Sequence, residues 1–286
     1  MSPILVDTMI LFPGFGLTPS FSFHAWQPFF MYFNPTVPHT SNDVGLALRD
    51  FSCQDTANGS LGYDPDIPGM TAEYGGSCEA YRQSILDRTE TTDDEGSIWL
   101  DDSVGALLQA LEEKEILNNT VFLFQTDHGM DTKSALYEGG VRIPQFIHYP
   151  DAINPNTQLD VPVSNLDIAA TMFDFAGILP SYDIDGMSWK DVIDDGSNLD
   201  FWENERCLFF ELEQDRAARC GCFKYLSIIE QTDEASTTYR RGVSSGLSTD
   251  MINLFDLCGG SSNYVTEKET NMEATNLLNS DEEMVR

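Results

Sequence analysis

Val121-Phe122-Leu123-Phe124-Gln125-Thr126-Asp127-His128-Gly129-Met130-Asp131-Thr132-Lys133 is the stretch that decides the fold. Residues 120–125 form a short, nearly continuous run rich in Val, Phe and Leu. Such a run is expected of a strand buried on both faces, as in a parallel sheet. A strand that ends in Asp-His presents two hard ligands at the mouth of a sheet. Lys133, six positions after the aspartate, can return to that mouth and meet an anion. This layout suits a metal-dependent ester hydrolase site.

Working outward, residues 143–149 read as a second strand, and Pro144 marks it as an edge or a strand start. Upstream, the pattern from Cys78 to Glu115 is helical, with a break expected at Asp93-Asp94-Glu95-Gly96. Leu100, Val104, Leu107, Leu108 and Leu111 share one face, and Glu112, Glu113 and Glu115 cover the solvent side. Asn118-Asn119 makes the turn into the strand. Downstream, Ser164 and Asp167 form a capping box, Ile168, Met172 and Phe175 mark a buried helical face, and Gly177 ends the helix. Helix, strand, strand, helix in this order suggests a three-layer α/β sandwich.

The flanks are less regular. Residues 1–27 show no clear period. Phe29-Phe30-Met31-Tyr32-Phe33, bounded by prolines, reads as a buried strand, and Pro35 and Pro38 force a loop after it. Residues 41–76 are polar and read as a surface excursion. A second unit begins near residue 200. There, Cys207 to Leu212 reads as one strand and Ala217 to Leu226 as another, together forming a hairpin. Residues 265–286 are polar and acidic, as expected of a surface helix or a frayed tail.

The 286 residues are 41 % apolar, enough for a sizeable core. The net charge of -32, from 47 acidic and 15 basic residues, argues against a nucleic-acid partner, because no basic stripe is present to release counterions. A single-site anion hydrolase is compatible with it, since the field of one lysine can act locally. The six cysteines permit disulfides without demanding them, and Cys220-Gly221-Cys222 is too close for an easy internal bridge. Asn58-Gly59-Ser60 and Asn118-Asn119-Thr120 match the glycosylation pattern. Met1 to Val6 lacks the basic start and apolar run of a signal peptide, and no stretch reaches the roughly 18 apolar residues of a transmembrane segment.

Phe124 to Pro144, with Asp127-His128-Gly129, Lys133 and Tyr137-Glu138-Gly139-Gly140-Val141-Arg142-Ile143-Pro144, resembles the metal-and-lysine segment of the sulfatases. These belong to the alkaline phosphatase-like superfamily. Pro28 to Thr40, with Thr36-Val37-Pro38-His39-Thr40, resembles another family segment. Arg219 to Leu226 resembles the Arg-x-Gly-x-x-Lys-Tyr strand of the family's small C-terminal sheet, and Phe255-Asp256-Leu257 a late Leu-Tyr-Asp-Leu segment. The resemblance implies an α/β fold: an alkaline phosphatase-like three-layer sandwich, incomplete in this chain, with a small C-terminal antiparallel-sheet subdomain. Residues 1–199 would form the catalytic domain and residues 200–286 the α+β subdomain with its acidic tail.

The resemblance also implies roles. Asp127 and His128 would be metal ligands, for calcium first and magnesium as the alternative. Lys133 would bind the sulfate oxygens and the leaving-group oxygen. His39 would contact sulfate and protonate the departing alcohol. Glu138 reads as structural, pairing with Arg142 or backbone amides; His24 and His148 carry no flanking motif. One half of the site is missing. The family nucleophile is a formylglycine made from Cys/Ser-x-Pro-x-Arg, and an early Asp-Asp pair completes the metal shell. Both lie upstream of the segment matching His39, and no cysteine precedes His39 here. Two ligands cannot close a shell of roughly six to eight oxygens.

The expectation is therefore the C-terminal portion of a sulfatase, a sulfuric ester hydrolase acting on a small-molecule or glycan sulfate ester, incomplete or inactive as this chain. Two alternatives stand beside it: a non-catalytic binder of anions or sulfated glycans, and a phosphodiester or phosphonate hydrolase of the same superfamily. The resemblance implies a secreted, lysosomal or periplasmic protein; without a signal peptide, the expectation is either a cytosolic paralogue or a chain whose beginning is missing.

Overall fold

The computed structural model describes residues 6–12, 29–33, 78–90, 95–129, 135–194, 196–229, 250–258, 273 and 276–279. The chain divides into two compact units, one of residues 1–127 and 144–155, the other of residues 128–143 and 156–286. The fold is mixed α/β, and the two sheets among the described residues are antiparallel.

The first unit is built on strands β1 (Val6–Phe12), β2 (Phe29–Phe33), β3 (Val121–Thr126) and β4 (Gln145–His148), in the order β2-β1-β3-β4. Every pairing is antiparallel, with Met9 opposite Tyr32 and Leu123, and Phe124 opposite Phe146. The expected burial of β3 on both faces is found: Val121, Phe122, Leu123, Gln125 and Thr126 are all buried. The expected parallel pairing is not. A continuous apolar run reports that both faces are covered; it carries no information on strand direction.

Helices α1 (Cys78–Arg88) and α2 (Glu95–Glu113) confirm the helical reading. Of the expected break, Asp93 and Asp94 lie outside the described residues, whereas Glu95 and Gly96 open α2. Arg88, the last residue of α1, makes a two-pronged bond to Asp102 of α2, at 2.8 and 2.6 Å. The apolar face of α2 does what its spacing requires. Leu111, with Val104, Leu107 and Leu108 beside it, packs with Ile116 and Phe122, and Phe29, Met31 and Phe124 close the cluster. β2 differs from expectation. Among the described residues it is an edge strand with alternating burial, and Phe30 and Tyr32 are 54 % and 51 % exposed. β4 is the opposite edge, as Pro144 implied. His148 lies on it, opposite Phe122.

The second unit contains a single helical turn, α3 (Glu138–Val141), then α4 (Asn165–Phe175), α5 (Lys190–Asp194) and a short π-helical turn (Phe201–Glu205). The Ser164 capping box is present: Ser164 N donates to Asp167 Oδ2 at 2.6 Å, and Ser164 Oγ accepts from Leu166 N at 3.3 Å. Asp167 is fully buried because it does more than cap. Its Oδ1 also accepts from Met187 N at 2.9 Å and from Arg206 at 2.5 Å. Gly177 ends α4 with φ of 64°, a left-handed value that glycine adopts freely.

Strands β5 (Cys207–Leu212), β6 (Asp215–Cys220), β7 (Phe223–Ser227) and β8 (Ile252–Asp256) form a meander in chain order. The single strand expected over Ala217 to Leu226 is in fact two, because Gly221, with φ of 53°, turns the chain between them. Cys220 and Cys222 thus leave the turn in different directions. Cys220 bonds Cys207, directly opposite on β5, and Cys222 bonds Cys258 beyond β8. One face of the sheet packs Ala217, Leu226 and Phe255 against Ala135, Leu136 and Tyr137.

Where it is described, the acidic C-terminal segment holds a short 3-10 turn (Leu277–Asn279) with Leu278 exposed, in part as the surface-helix reading expected, but Glu273 and Asn276 before it are buried. Asn276 lies along the outer edge of β8. Its side chain accepts from Leu254 N at 3.0 Å and donates to Ile252 O at 2.9 Å and to Asp250 Oδ2 at 2.8 Å. A side-chain amide presents the same donor and acceptor as a peptide group, so it satisfies edge groups that another strand would otherwise pair.

Candidate metal and anion site

Asp127 follows directly on β3, the interior strand, and is half-buried. The boundary between the two units falls on the Asp127–His128 bond, so these expected ligands adjoin in the chain and each is described with its own unit. His128 is half-buried, and its Nδ1 lies 2.6 Å from Gly129 O. A carbonyl only accepts, so a hydrogen bond there needs the proton on Nδ1 and makes Nε2 the nitrogen suited to face a metal.

Gly129 is held closely. Its N–H donates to Gly140 O at 2.9 Å. A Cβ there would lie 2.7 Å from Gly139 C and 2.9 Å from Arg142 O, so only glycine fits without moving the α3 backbone. α3 is itself tied down. Gly140 and Val141 donate to Tyr137 O at 2.8 and 3.0 Å, and Tyr137 is fully buried against Phe255.

Glu138 opens α3 and is structural, as expected, but its main partner is not the expected one. Lys224 Nζ, 0 % exposed, donates to Glu138 Oε1 and to Glu273 Oε1, both at 2.9 Å. Arg219 lies 3.5 Å from Glu138 Oε2. The backbone amide in play is that of Glu138 itself, which donates to Glu273 Oε2 at 2.7 Å. Burial works against ionising Glu138. The charge and hydrogen bond of Lys224, then the charges of Arg219 and Arg142, outweigh it and hold the carboxyl below its ordinary value. At Glu273 the balance reverses: burial, assisted by the nearby Glu138 charge, pushes the carboxyl up despite Lys224.

Sequence reasoning placed Lys224 in the Arg-x-Gly-x-x-Lys-Tyr match without giving it a role, and did not single out Glu273. The available signal was strand parity. Lys224 shares a face with Leu226, so an inward lysine in an apolar run demands a buried carboxylate. Of the other expected site residues, His39 and Lys133 lie outside the described residues.

A carboxylate and an imidazole are chemically apt as part of a divalent-cation shell: the oxygen suits calcium or magnesium, and the nitrogen widens the choice. Among the described residues, Cys222, Asp256 and Cys258 bring three further ligand atoms within 4.8 Å of one another. That trio is a candidate cluster by distance. Its sulfurs are joined in a disulfide, however, and the thiolate is the form that binds metal, so the oxidised protein offers only Asp256 there. No helix among the described residues is long and apolar enough to cross a membrane.

Over 121 residues, covering 40 % of this chain, the sequence is 35 % identical to an N-acetylglucosamine-6-O-sulfatase of Bacteroides thetaiotaomicron. It is 27 % identical over 234 residues, 70 % of the chain, to an ulvan-active sulfatase of Formosa agariphila. The chain spans 21 % and 37 % of the length of these two relatives. The solved structure of BT4656 with its substrate D-glucosamine-2-N,6-O-disulfate superposes with a TM-score of 0.49 at 20 % identity, covering 71 % of this chain and 39 % of that one. The sequence model of the sulfatases matches residues 23–178, more than half of the molecule, and the chain belongs to the sulfatase family.

Proposed function

We propose that this chain carries the metal-and-lysine half of a sulfuric ester hydrolase. Asp127 and His128 would supply a carboxylate oxygen and an imidazole nitrogen to a divalent cation, calcium first and magnesium second. Lys133 would clamp the sulfate oxygens and the leaving-group oxygen, and His39 would protonate the departing alcohol. When bound, such a cation would polarise a sulfate oxygen as a Lewis acid. The observation that carries this reading is the Asp127-His128-Gly129 run at the exit of a buried interior strand, with the Gly129 amide bonded to the α3 turn.

Substrates of the named relatives point to a sulfated sugar as the ester. A home outside the cytosol is supported by Cys207–Cys220 and Cys222–Cys258, since such bridges persist in oxidising compartments.

Titrating the chain calorimetrically with inorganic sulfate, with and without calcium chloride, tests the reading. Sulfate binding should require calcium, and should be lost in both Lys133→Ala and Asp127→Asn whether or not calcium is present. Sulfate binding indifferent to calcium and to both substitutions overturns the proposal. Calcium-dependent binding of inorganic phosphate in preference to sulfate would move the chain to the phosphodiester branch.

A further inference from the structure

Glu273 is the one acidic residue of the C-terminal segment that the described structure places in a buried, fully engaged position, at 2 % exposure. Its two oxygens do different work. Oε1 accepts from Lys224 Nζ at 2.9 Å, and Oε2 accepts from the Glu138 amide at 2.7 Å. The Glu138 amide belongs to the first residue of α3, where a helical N–H has no partner within the helix. Lys224 returns to the same residue through Glu138 Oε1, so the ring Glu273–Lys224–Glu138 closes on α3 from both its side chain and its backbone.

α3 is only four residues long, and one turn is not stable by itself. It nevertheless supplies the Gly140 carbonyl that receives the Gly129 amide, and the Gly139 backbone that leaves no room for a side chain at Gly129. Gly129 O in turn receives the His128 ring.

We infer that Glu273 is a positioning residue, which fixes α3 through the Glu138 amide and Lys224 and thereby sets the rotamer and tautomer of His128. The inference rests on the proposed metal-ligand role of His128 for its functional meaning. Its structural content stands on the bonds above. Arg219 and Arg142 complete the charged groups around the ring, and neither replaces the bond from Glu273 to the Glu138 amide.

The test compares the full chain with Glu273→Ala and Glu273→Gln by amide hydrogen exchange and by the ring nitrogen shifts of His128. In Glu273→Ala, exchange of the Gly129, Glu138, Gly140, Val141 and Arg142 amides should rise about tenfold or more, the scale of a lost hydrogen bond to a charged group. β6 and β7 should stay protected, and the His128 shifts should move from the Nδ1–H form toward a tautomer mixture. Glu273→Gln keeps a neutral acceptor for the Glu138 amide and should restore part of the protection. If alanine unfolds the chain globally, glutamine decides: a local rise confined to the Gly129, Glu138, Gly140, Val141 and Arg142 amides supports the inference. Unchanged local exchange together with unchanged His128 shifts in the variant that folds overturns it. Manganese titration of the same variants separates the two readings. A wild-type chain that binds no manganese ends the metal role while leaving the positioning result intact. Binding weakened severalfold in Glu273→Ala joins the two.

Discussion

The two four-stranded antiparallel sheets solve one problem in opposite ways. The sheet of β1 to β4 is stabilised by apolar contact: β3 is buried along its length, and α2 lays Leu111 beside Phe122. The sheet of β5 to β8 places a lysine on its inner face between Arg219 and Phe255, opposes it with two glutamates, and adds two disulfides. An apolar contact is non-directional and tolerates small shifts. A buried charge tolerates none, because losing one partner leaves the others stranded in a poor solvent. The first sheet should therefore respond to packing changes alone. The second should respond to charge, pH and reductant.

The largest effect that would break this contrast comes from matched core substitutions. Phe122→Ala should destabilise by about 3–5 kcal/mol through a cavity that nothing nearby refills. Lys224→Met should be similarly severe, about 3–5 kcal/mol, because Glu138 and Glu273 then face each other unopposed. The difference lies in rescue. Adding Glu138→Gln and Glu273→Gln to Lys224→Met should recover most of the loss in urea unfolding. If the triple variant is no better than the single one, Lys224 acts through packing, and the contrast between the sheets fails.

Covalent ties come next. Cys222–Cys258 closes a separation of 36 residues and Cys207–Cys220 one of 13. The chain-entropy relation assigns about 4 kcal/mol to the longer and about 3 kcal/mol to the shorter. Replacing each pair by serines and measuring unfolding should give losses in that order, and exchange protection of β3 should stay as in the wild type. Equal losses, or loosening of β3, would show that the sheets are not separately stabilised.

The contrast also explains what could be read from the residues. Asp167 was legible as a capping residue because its partner, Ser164, lies within one helical turn. Its bond to Arg206 was not, being 39 residues away. β3 announced its burial through composition, yet strand direction depends on which neighbour pairs with it, and no local pattern records that. At Cys220-Gly221-Cys222 the apolar and small residues run on without a break, so one strand was expected where a glycine turn makes two. Lys224 signalled a buried partner, but 47 acidic residues compete for the role and only the folded chain selects Glu138 and Glu273. The C-terminal segment looked solvated because its residues are polar. Asn276 and Glu273 instead satisfy backbone groups, a use that polarity alone does not reveal. Asp127 and His128 were legible as a chemical pair; the α3 turn that holds Gly129 was not.

The smallest effect is a pH dependence whose two limbs have opposite sign. Glu138 is held below its ordinary value of 4.5, so its contribution is fully present above that value and is lost as pH falls through the depressed one. Glu273 is pushed above 4.5, so its contribution is present below that value and is lost as pH rises through the raised one. On acidification from neutrality, protonation of Glu273 should first favour the closed ring. Below 4.5, protonation of Glu138 should then weaken it. The other carboxylates of this acidic chain titrate too, so the measurement is the difference between wild type and single variants in urea unfolding across pH. Glu273→Gln should remove the upper limb and leave the lower one. Glu138→Gln should remove the lower. A wild-type difference curve that falls monotonically from neutrality would show that Glu273 is ionised without penalty beside Lys224. The second sheet would then be held by an ordinary ion pair, and not by two carboxylates that compete for one lysine.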